Sequence, residues 1–465
     1  MDLMKQKSPF TIPRTDHNIS RRNLSPNALR VLYRLKSHGF TAYLVGGCVR
    51  DLLLGREPKD FDVATDATPG QVKRLFRNCR LVGRRFRLAH LHFNGEIIEV
   101  ATFRAEQPQE TAEDEVPNQG DRPGPPDGGR AQHPRHLKSE EGVVLRDNVF
   151  GTPEQDALRR DFTVNALFYD IATFSIIDYT GGIEALQRGV IRTIGDPIVR
   201  FTEDPVRMLR AVRFAAMLGF TIEEDIWEAL VEMNGTITRS TPPRLFEEVL
   251  KLFLCGEGEK CYQFMRRSGL FQALLPDFSD WLDSETDGFP HAQIGKALEW
   301  TDQRIKEGGR VNQQLLLSLI FGEYLEEKRR SLHNSGIPPQ QSLDMAVAGF
   351  IGDLAPTVLI PHRTGIQVRE ILSYQDRFRK IPGKKPLSFI TRHSFNDAFA
   401  YFRFMNSLTG GDHAACRWWE NFIIENGFQH HEKPPLKERP ESAPARPRRK
   451  RAGRGRKKTA IPQTP

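Results

Sequence analysis

Near residue 183 the spacing of apolar residues changes period, and that change bounds what the chain on either side of it can become. Upstream, "TAYLVGG", "PGQVKRLFRN" and "GEIIEVATF" alternate strand-like runs with short helical patterns, so residues 22–182 read as a small α/β domain. Downstream, "EDPVRMLRAVRFAAMLGF", "TPPRLFEEVLKLFL", "RVNQQLLLSLIFGEYLEEK" and "NDAFAYFRFMNSL" carry helical spacing, broken at "GIPPQ" and "KIPGKKPLS". No strand is expected from there to residue 430. At 465 residues the chain exceeds one compact core. The expected order is an N-terminal arm (1–21), the α/β head (22–182), a helical neck (183–262), a helical body (263–430) and a tail (431–465).

Two stretches have no periodicity. Residues 104–142 are rich in Pro, Gly and charge and read as a mobile insertion in the head. The tail, with "RPRRKRAGRGRKK", has too few apolar residues to fold alone. It also holds nearly all the basicity. From Lys433 onward twelve Lys and Arg face two Glu, a net of +10 against +8 for the whole chain, so the remainder carries −2. Charge of that density, at Arg446, Arg448, Arg449, Lys450, Arg451, Arg454, Arg456, Lys457 and Lys458, suits RNA phosphates and needs no defined fold. A merely solubilising end is the plainer alternative. The five cysteines lack metal-site or disulfide-framework spacing, and no signal-peptide core or bilayer-length apolar run is present. The expectation is a soluble, cytoplasmic protein with reduced thiols and no membrane span.

Several clusters point to chemistry. In "YLVGGCVRDLLLG" an apolar strand runs into Gly46 and Gly47, with Arg50 at the helix start that follows. Paired glycines let backbone N–H groups approach an anion, and a helix N-terminus adds partial positive charge, although such a pair is more often only a tight turn. Further on, "KDFDVAT" sets Asp60 and Asp62 one residue apart, so both share a strand face while Phe61 and Val63 take the other. The two carboxylates repel, and Mg²⁺ suits them, since it takes a few carboxylate oxygens together with phosphate oxygens and water. Glu99 in "IIEVATF" shares a face with Ile97, opposite Ile98 and Val100, and is a candidate third carboxylate or an ordinary edge-strand charge. In "RRDF", Arg159 and Arg160 can clamp phosphate oxygens, or form a surface charge cluster. Asp204 and Arg207, at helical spacing, offer an acceptor and donors on one face, or a surface ion pair. Arg210 and Arg213 continue the same step.

In this order, "GGCVRD", "DFDVAT", "RRDFTVNAL" and "EDPVRMLRAVRF" resemble the polymerase-beta-type nucleotidyltransferases that extend RNA 3′ ends. That group comprises bacterial poly(A) polymerases and the CCA-adding tRNA nucleotidyltransferases. The resemblance covers about residues 40–260 and, more loosely, the helices beyond. It implies a head with a mixed five-stranded sheet and helices, followed by all-α neck and body domains and a disordered basic tail. It implies two Mg²⁺ ions on Asp60 and Asp62, with Glu99 the added metal-site candidate, and Asp161 as an active-site carboxylate. Arg159, Arg160 and Asn165 would lie along sugar and triphosphate with Gly46, Gly47 and Arg50, while Glu203, Asp204 and Arg207 would read the base.

The resemblance is closer to the poly(A) polymerases in "RDNVFG", "LVGRRFRLAHLHF", "RVNQQLLLSLIF" and the arginine-rich tail. The helical half also lacks the His-Asp dipeptide of the phosphohydrolase domain carried by some CCA-adding enzymes. The implied activity is transfer of AMP from ATP to an RNA 3′-hydroxyl with release of pyrophosphate. A CCA-adding enzyme is the same-fold alternative, and a catalytically inactive RNA-binding protein is the alternative from another class.

Overall fold

The computed structural model describes residues 9–83, 87–105, 137–138, 144–146, 150–284, 292–382 and 385–427. Most of the insertion read at 104–142, residues 147–149 of "RDNVFG" and the whole basic tail lie outside them.

The head is built on one mixed sheet. In chain order its strands are β1 (Phe10–Ile12), β2 (Ala42–Val45), β3 (Asp62–Thr65), β4 (Cys79–Val82), β5 (Leu88–Phe93) and β6 (Glu96–Thr102). After a separate pair, β7 (Leu137–Lys138) and β8 (Val144–Arg146), come β9 (Leu167–Asp170) and β10 (Ser175–Asp178). The spatial order is β1-β10-β9-β2-β3-β6-β5-β4. Of the neighbouring pairs, β3 with β6 is parallel and the others are antiparallel. The sheet thus has eight strands rather than five. The segment read as an arm supplies the edge strand β1, whose three residues are too few to show an alternation.

Alternation along the central strands divides the apolar residues between two faces. Leu44 and Val63 join one core with Val31 and Leu35 of α1 (Pro26–Ser37), while Val45 and Ala64 join a smaller cluster with Phe103 and Phe168. Helix α1 begins at Ser25, whose hydroxyl accepts from the N–H groups of Asn27 and Ala28, with Pro26 in the first turn. After α2 (Gly47–Leu53), α3 (Pro69–Leu75) and α4 (Pro153–Leu158) both open on capping boxes, Thr68 with Gln71 and Thr152 with Gln155.

Helices α5 (Gly182–Arg188), α6 (Pro197–Glu203), α7 (Val206–Leu218), α8 (Glu224–Met233), α9 (Pro242–Phe253) and α10 (Gly258–Ser268) follow. Strands were not expected here, yet β11 (Val190–Ile191) and β12 (Thr221–Ile222) pair in parallel. At two residues each they are too short to leave a period-two signal. The centre of the remaining helical part is the helix Gln313–Asn334, buried continuously from Leu315 to Phe321, with Ala292–Lys306, Pro339–Leu354, His362–Ser373 and Phe395–Thr409 around it. One apolar cluster runs from Leu209 and Leu245 through to Phe378 and Trp419. Phe162 and Val164 belong to that cluster, whereas Leu167 and Tyr169, a few residues on, belong to the core of the head. Among the described residues, no helix is long and apolar enough to cross a membrane.

Phe378 anchors the far end of this helical core. Its ring lies 5.1 Å from Phe389 and Phe402, 5.5 Å from Phe395 and Phe399 and 5.6 Å from Trp419, whose indole N–H donates to the Phe378 carbonyl at 3.0 Å. Phe378→Ala therefore lowers stability by about 3–5 kcal/mol. Denaturant unfolding followed by tryptophan fluorescence reads this, and a change under about 1 kcal/mol counts against so dense a packing.

Candidate active site

Strand parity sets the carboxylates. Strand β3 opens at Asp62, with Asp60 just before it. Phe61 and Val63 bury into the head core, and Asp62 shares the opposite face with Ala64. In the β3–β6 ladder Asp62 stands opposite Glu99 and Val63 opposite Val100, so the sheet brings Glu99 to the same face as Asp62. His90 of β5 is the antiparallel partner of Glu99, with its Nε2 3.3 Å from Oε1. Burial pushes the Asp62 carboxyl up to about 6, the charges of Glu99 and Asp60 push the same way, and Arg160 opposes them. This face is short of positive charge, which a divalent cation relieves. Among the described residues no three His, Cys, Asp or Glu side chains form a ready-made metal cage. Phosphate oxygens and water would have to complete the shell, as they commonly do for Mg²⁺.

Asp60 and Asp62 line a cleft of about 410 Å³ between the head and the helical part. Gly47, Arg50 and Asp51 lie on the head side, and Met217, Glu257 and Lys306 lie opposite. Glu257 bridges Lys306 and Lys260 at 2.7 and 2.8 Å.

The glycines and arginines form one packed group. Gly46 adopts φ +76°, and a Cβ there would stand 3.2 Å from Nη1 of Arg160, so the absent side chain makes room for a guanidinium. Arg160 donates to Asp156 through Nε and Nη2, at 3.2 and 2.9 Å, and to the Asn165 carbonyl at 3.2 Å. Arg50 is buried and donates to Asp51 at 2.8 Å and to the Asn165 side chain at 2.6 Å. Arg50 is thus an anchor between α2 and Asn165. The carbonyls of Arg159 and Arg160 both accept from Nη2 of the buried Arg200, at 2.8 and 2.7 Å.

Asp161 is not among the residues lining the cleft. It pairs with Arg210 of α7, whose Nε and Nη2 lie 2.6 and 2.5 Å from Oδ2, while Oδ1 accepts from the Phe162 N–H at 2.9 Å. Burial pushes this carboxyl up, but the charge and hydrogen bonds of Arg210 outweigh it and hold the group below the ordinary range. The guanidinium carbons of Arg50, Arg210 and Arg213 stand 5.5, 5.4 and 5.2 Å from the Phe214 ring centre, so one aromatic ring gathers three cations.

The Arg207 N–H donates to the Asp204 carbonyl at 3.0 Å, but the two side chains take other partners. Asp204 ends α6 in an extended conformation ahead of Pro205, which interrupts the helical spacing. Arg244 of α9 grips Asp204 with two bonds of 2.7 Å, whereas Arg207 donates to the Arg200 carbonyl at 2.9 Å and to Glu203 at 3.1 Å. Sequence reasoning missed Arg200, Arg244, His90 and Lys306. His90 alternates correctly along its strand, but nothing local marks the other three. Asp156 was missed as well, although its i,i+4 spacing from Arg160 is a signal that the sequence carries.

Comparison with known proteins matches three stretches of the chain to family models. Residues 42–192 match "Poly A polymerase head domain", 219–282 "Probable RNA and SrmB- binding site of polymerase A" and 335–457 "Polymerase A arginine-rich C-terminus". Poly(A) polymerase I of Salmonella typhi is 41% identical over 414 residues, which are 88% of this chain and 85% of that protein. The CCA-adding enzyme of a Geobacillus species is 35% identical over 375 residues, 69% of this chain and 85% of that one. Among solved structures, the CCA-adding enzyme of Bacillus stearothermophilus in complex with CTP shares the fold at TM-score 0.55 and 24% identity, over 86% of this chain and 83% of that one.

Proposed function

The chain belongs to the bacterial poly(A) polymerase family, and from that premise we propose that it transfers AMP from ATP to RNA 3′-hydroxyl ends, releasing pyrophosphate, with the cleft at Asp60 and Asp62 as the place of reaction. The observation that carries this is the carboxylate-rich face, short of positive charge, where Asp60, Asp62 and Glu99 gather beside a cleft of about 410 Å³. Asp60 and Asp62, with Glu99 beside them, would hold Mg²⁺, which supplies neutralisation of triphosphate charge and a more acidic attacking hydroxyl when bound.

The remaining roles follow from the side chains. Arg160, braced by Asp156, presents its guanidinium next to Gly46, where a triphosphate approaches the backbone. Arg50 fixes Asn165, and Asp161 positions Arg210 under the same strap of chain. Asp204, held by Arg244, and Arg207, held by Glu203, offer a rigid acceptor and a rigid donor to an adenine edge. The cleft and the three family matches support an RNA partner. The test is to incubate purified protein with Mg²⁺, an RNA bearing a free 3′ end, tRNA lacking its CCA end, and each nucleotide separately. Long tails from ATP are expected, and efficient CTP use with arrest at CCA would overturn the reading.

The tail is proposed as a sequence-tolerant hold on RNA. Deleting everything after Glu432 removes a net charge of +10, so RNA binding weakens and its dependence on salt flattens while ATP affinity stays the same. Equal RNA affinity with and without the tail, at low and moderate salt, rejects this.

A further inference from the structure

Cys255 and Cys261 lie with their sulfurs 3.9 Å apart behind the wall of the cleft. Cys255 is half-buried, follows α9 and lines the cleft that holds Asp60 and Asp62, while Cys261 is fully buried in α10. Gly256 turns the chain between them with φ +89°, and the next residue is Glu257, the partner of Lys306 across the cleft wall. Beyond it the N–H groups of Gly258 and Glu259 are fixed by the Asp302 carboxylate at 2.7 and 3.1 Å. The chain is therefore held firmly on the α10 side and turns at a glycine on the Cys255 side. A hydrogen bond between the two thiols favours the Cys255 thiolate, with the Glu257 N–H and Arg213 adding to it, while burial and the charge of Asp302 oppose it. That same bond and burial keep the proton on Cys261. Cys48, by contrast, is pushed up to about 12, chiefly by burial, and is a poor nucleophile.

We propose that Cys255 and Cys261 form a peroxide-sensitive dithiol whose oxidation to a disulfide reshapes the cleft wall at Gly256 and Glu257 and slows nucleotide addition. The effect on addition rests on the function proposed above; the disulfide itself does not. Cys255 sulfur attacks one oxygen of hydrogen peroxide, breaking the O–O bond, so that a sulfenic acid forms and hydroxide leaves to take up a proton as water. Cys261 sulfur then attacks the Cys255 sulfur. The S–O bond breaks, the hydroxyl leaves with the Cys261 proton as a second water, and two thiols have been oxidised by one peroxide. An S–S bond of about 2.05 Å requires the sulfurs to close from 3.9 Å, and Gly256 is where the chain yields.

The test uses the full chain, reduced, exposed to hydrogen peroxide, alkylated, digested and mapped by mass. The expected result is a peptide pair joined through Cys255 and Cys261 and an AMP-addition rate lowered about tenfold, given that a displacement of about 1 Å can cost about 100-fold, with both reversed by dithiothreitol. Cys261→Ala abolishes the link and the dithiothreitol-reversible loss, and Cys261→Ser replaces it if the alanine variant does not fold. Two thiols still open to alkylation after peroxide overturn the proposal. So does a link that forms while AMP addition and ATP binding stay unchanged. A reduced protein that adds no AMP tells against the proposed function alone, because linkage and ATP binding are read without turnover.

Discussion

Asp62→Ala lowers the rate of AMP addition by at least about 10³-fold, the scale of several kcal/mol of charge stabilisation at the transferring phosphate, and leaves the protein folded. The two halves of that expectation come from the same face of the sheet. Asp62 is half-buried beside Glu99 and Asp60, and its carboxyl is pushed up to about 6, so its charge opposes folding and its removal relieves repulsion. A residue that costs the fold something and is placed in a cleft is kept for what it binds. Asp60→Ala acts in the same direction, from an exposed position with less effect on stability. Rates measured with saturating ATP and RNA, beside a melting curve, decide the matter. A variant at Asp62 within tenfold of the parent removes it from the reaction.

Arg210→Ala destabilises the chain by about 2–3 kcal/mol and slows addition by up to about 100-fold, because it strips the partner from a nearly buried carboxylate and loosens the strap that carries Arg159, Arg160 and Asn165. Asp161→Asn costs less stability, since the amide oxygen still accepts from Phe162 and the guanidinium that loses its carboxylate is 32% exposed and stays partly solvated. The sign with pH follows from the lowered carboxyl of Asp161. Its contribution is complete above the ordinary carboxylate value near 3.9 and is lost as pH falls through the lower, folded-state value. Denaturant midpoints for both single variants and the double variant give the coupling between the two groups. If Arg210→Ala and Asp161→Asn are additive, the pair is not a working ion pair. If Asp161→Asn abolishes addition without moving stability or the Arg210 dependence, Asp161 touches the reacting groups directly.

What was legible in the chain was whatever a local period fixes. The opposition of Asp62 to Phe61 and Val63 and the parity of Glu99 follow from alternation along a strand, and the ladder that sets Asp62 against Glu99 respects it, while Asp60 lies just before the strand and lines the same cleft as Asp62. The long helices at Gln313–Asn334 and Phe395–Thr409 were legible for the same reason. What was not legible came from chain distant in sequence. Arg244 reaches Asp204 across 40 residues, and Lys306 reaches Glu257 across a packed helix pair. Asp204 and Arg207 were read at helical spacing, but Pro205, where α6 stops and α7 starts, lies between them. The sheet outgrew its expected five strands at its edges, where segments such as Phe10–Ile12 are too short to show any period.

The two apolar cores change hands within a few residues, Phe162 and Val164 on the helical side and Leu167 and Tyr169 on the sheet side. The carboxylates proposed to hold Mg²⁺ are therefore mounted on one core and the residues proposed to read the base on the other, like a vice whose jaws belong to different frames. Leu186 packs against both cores, and polar ties cross between them, among them the bonds from Arg56 to the carbonyls of Met217 and Leu218 at 3.0 and 3.2 Å. On the function proposed above, a nucleotide that seats badly against Asp204 and Arg207 would disturb the setting of the two frames and be turned over slowly.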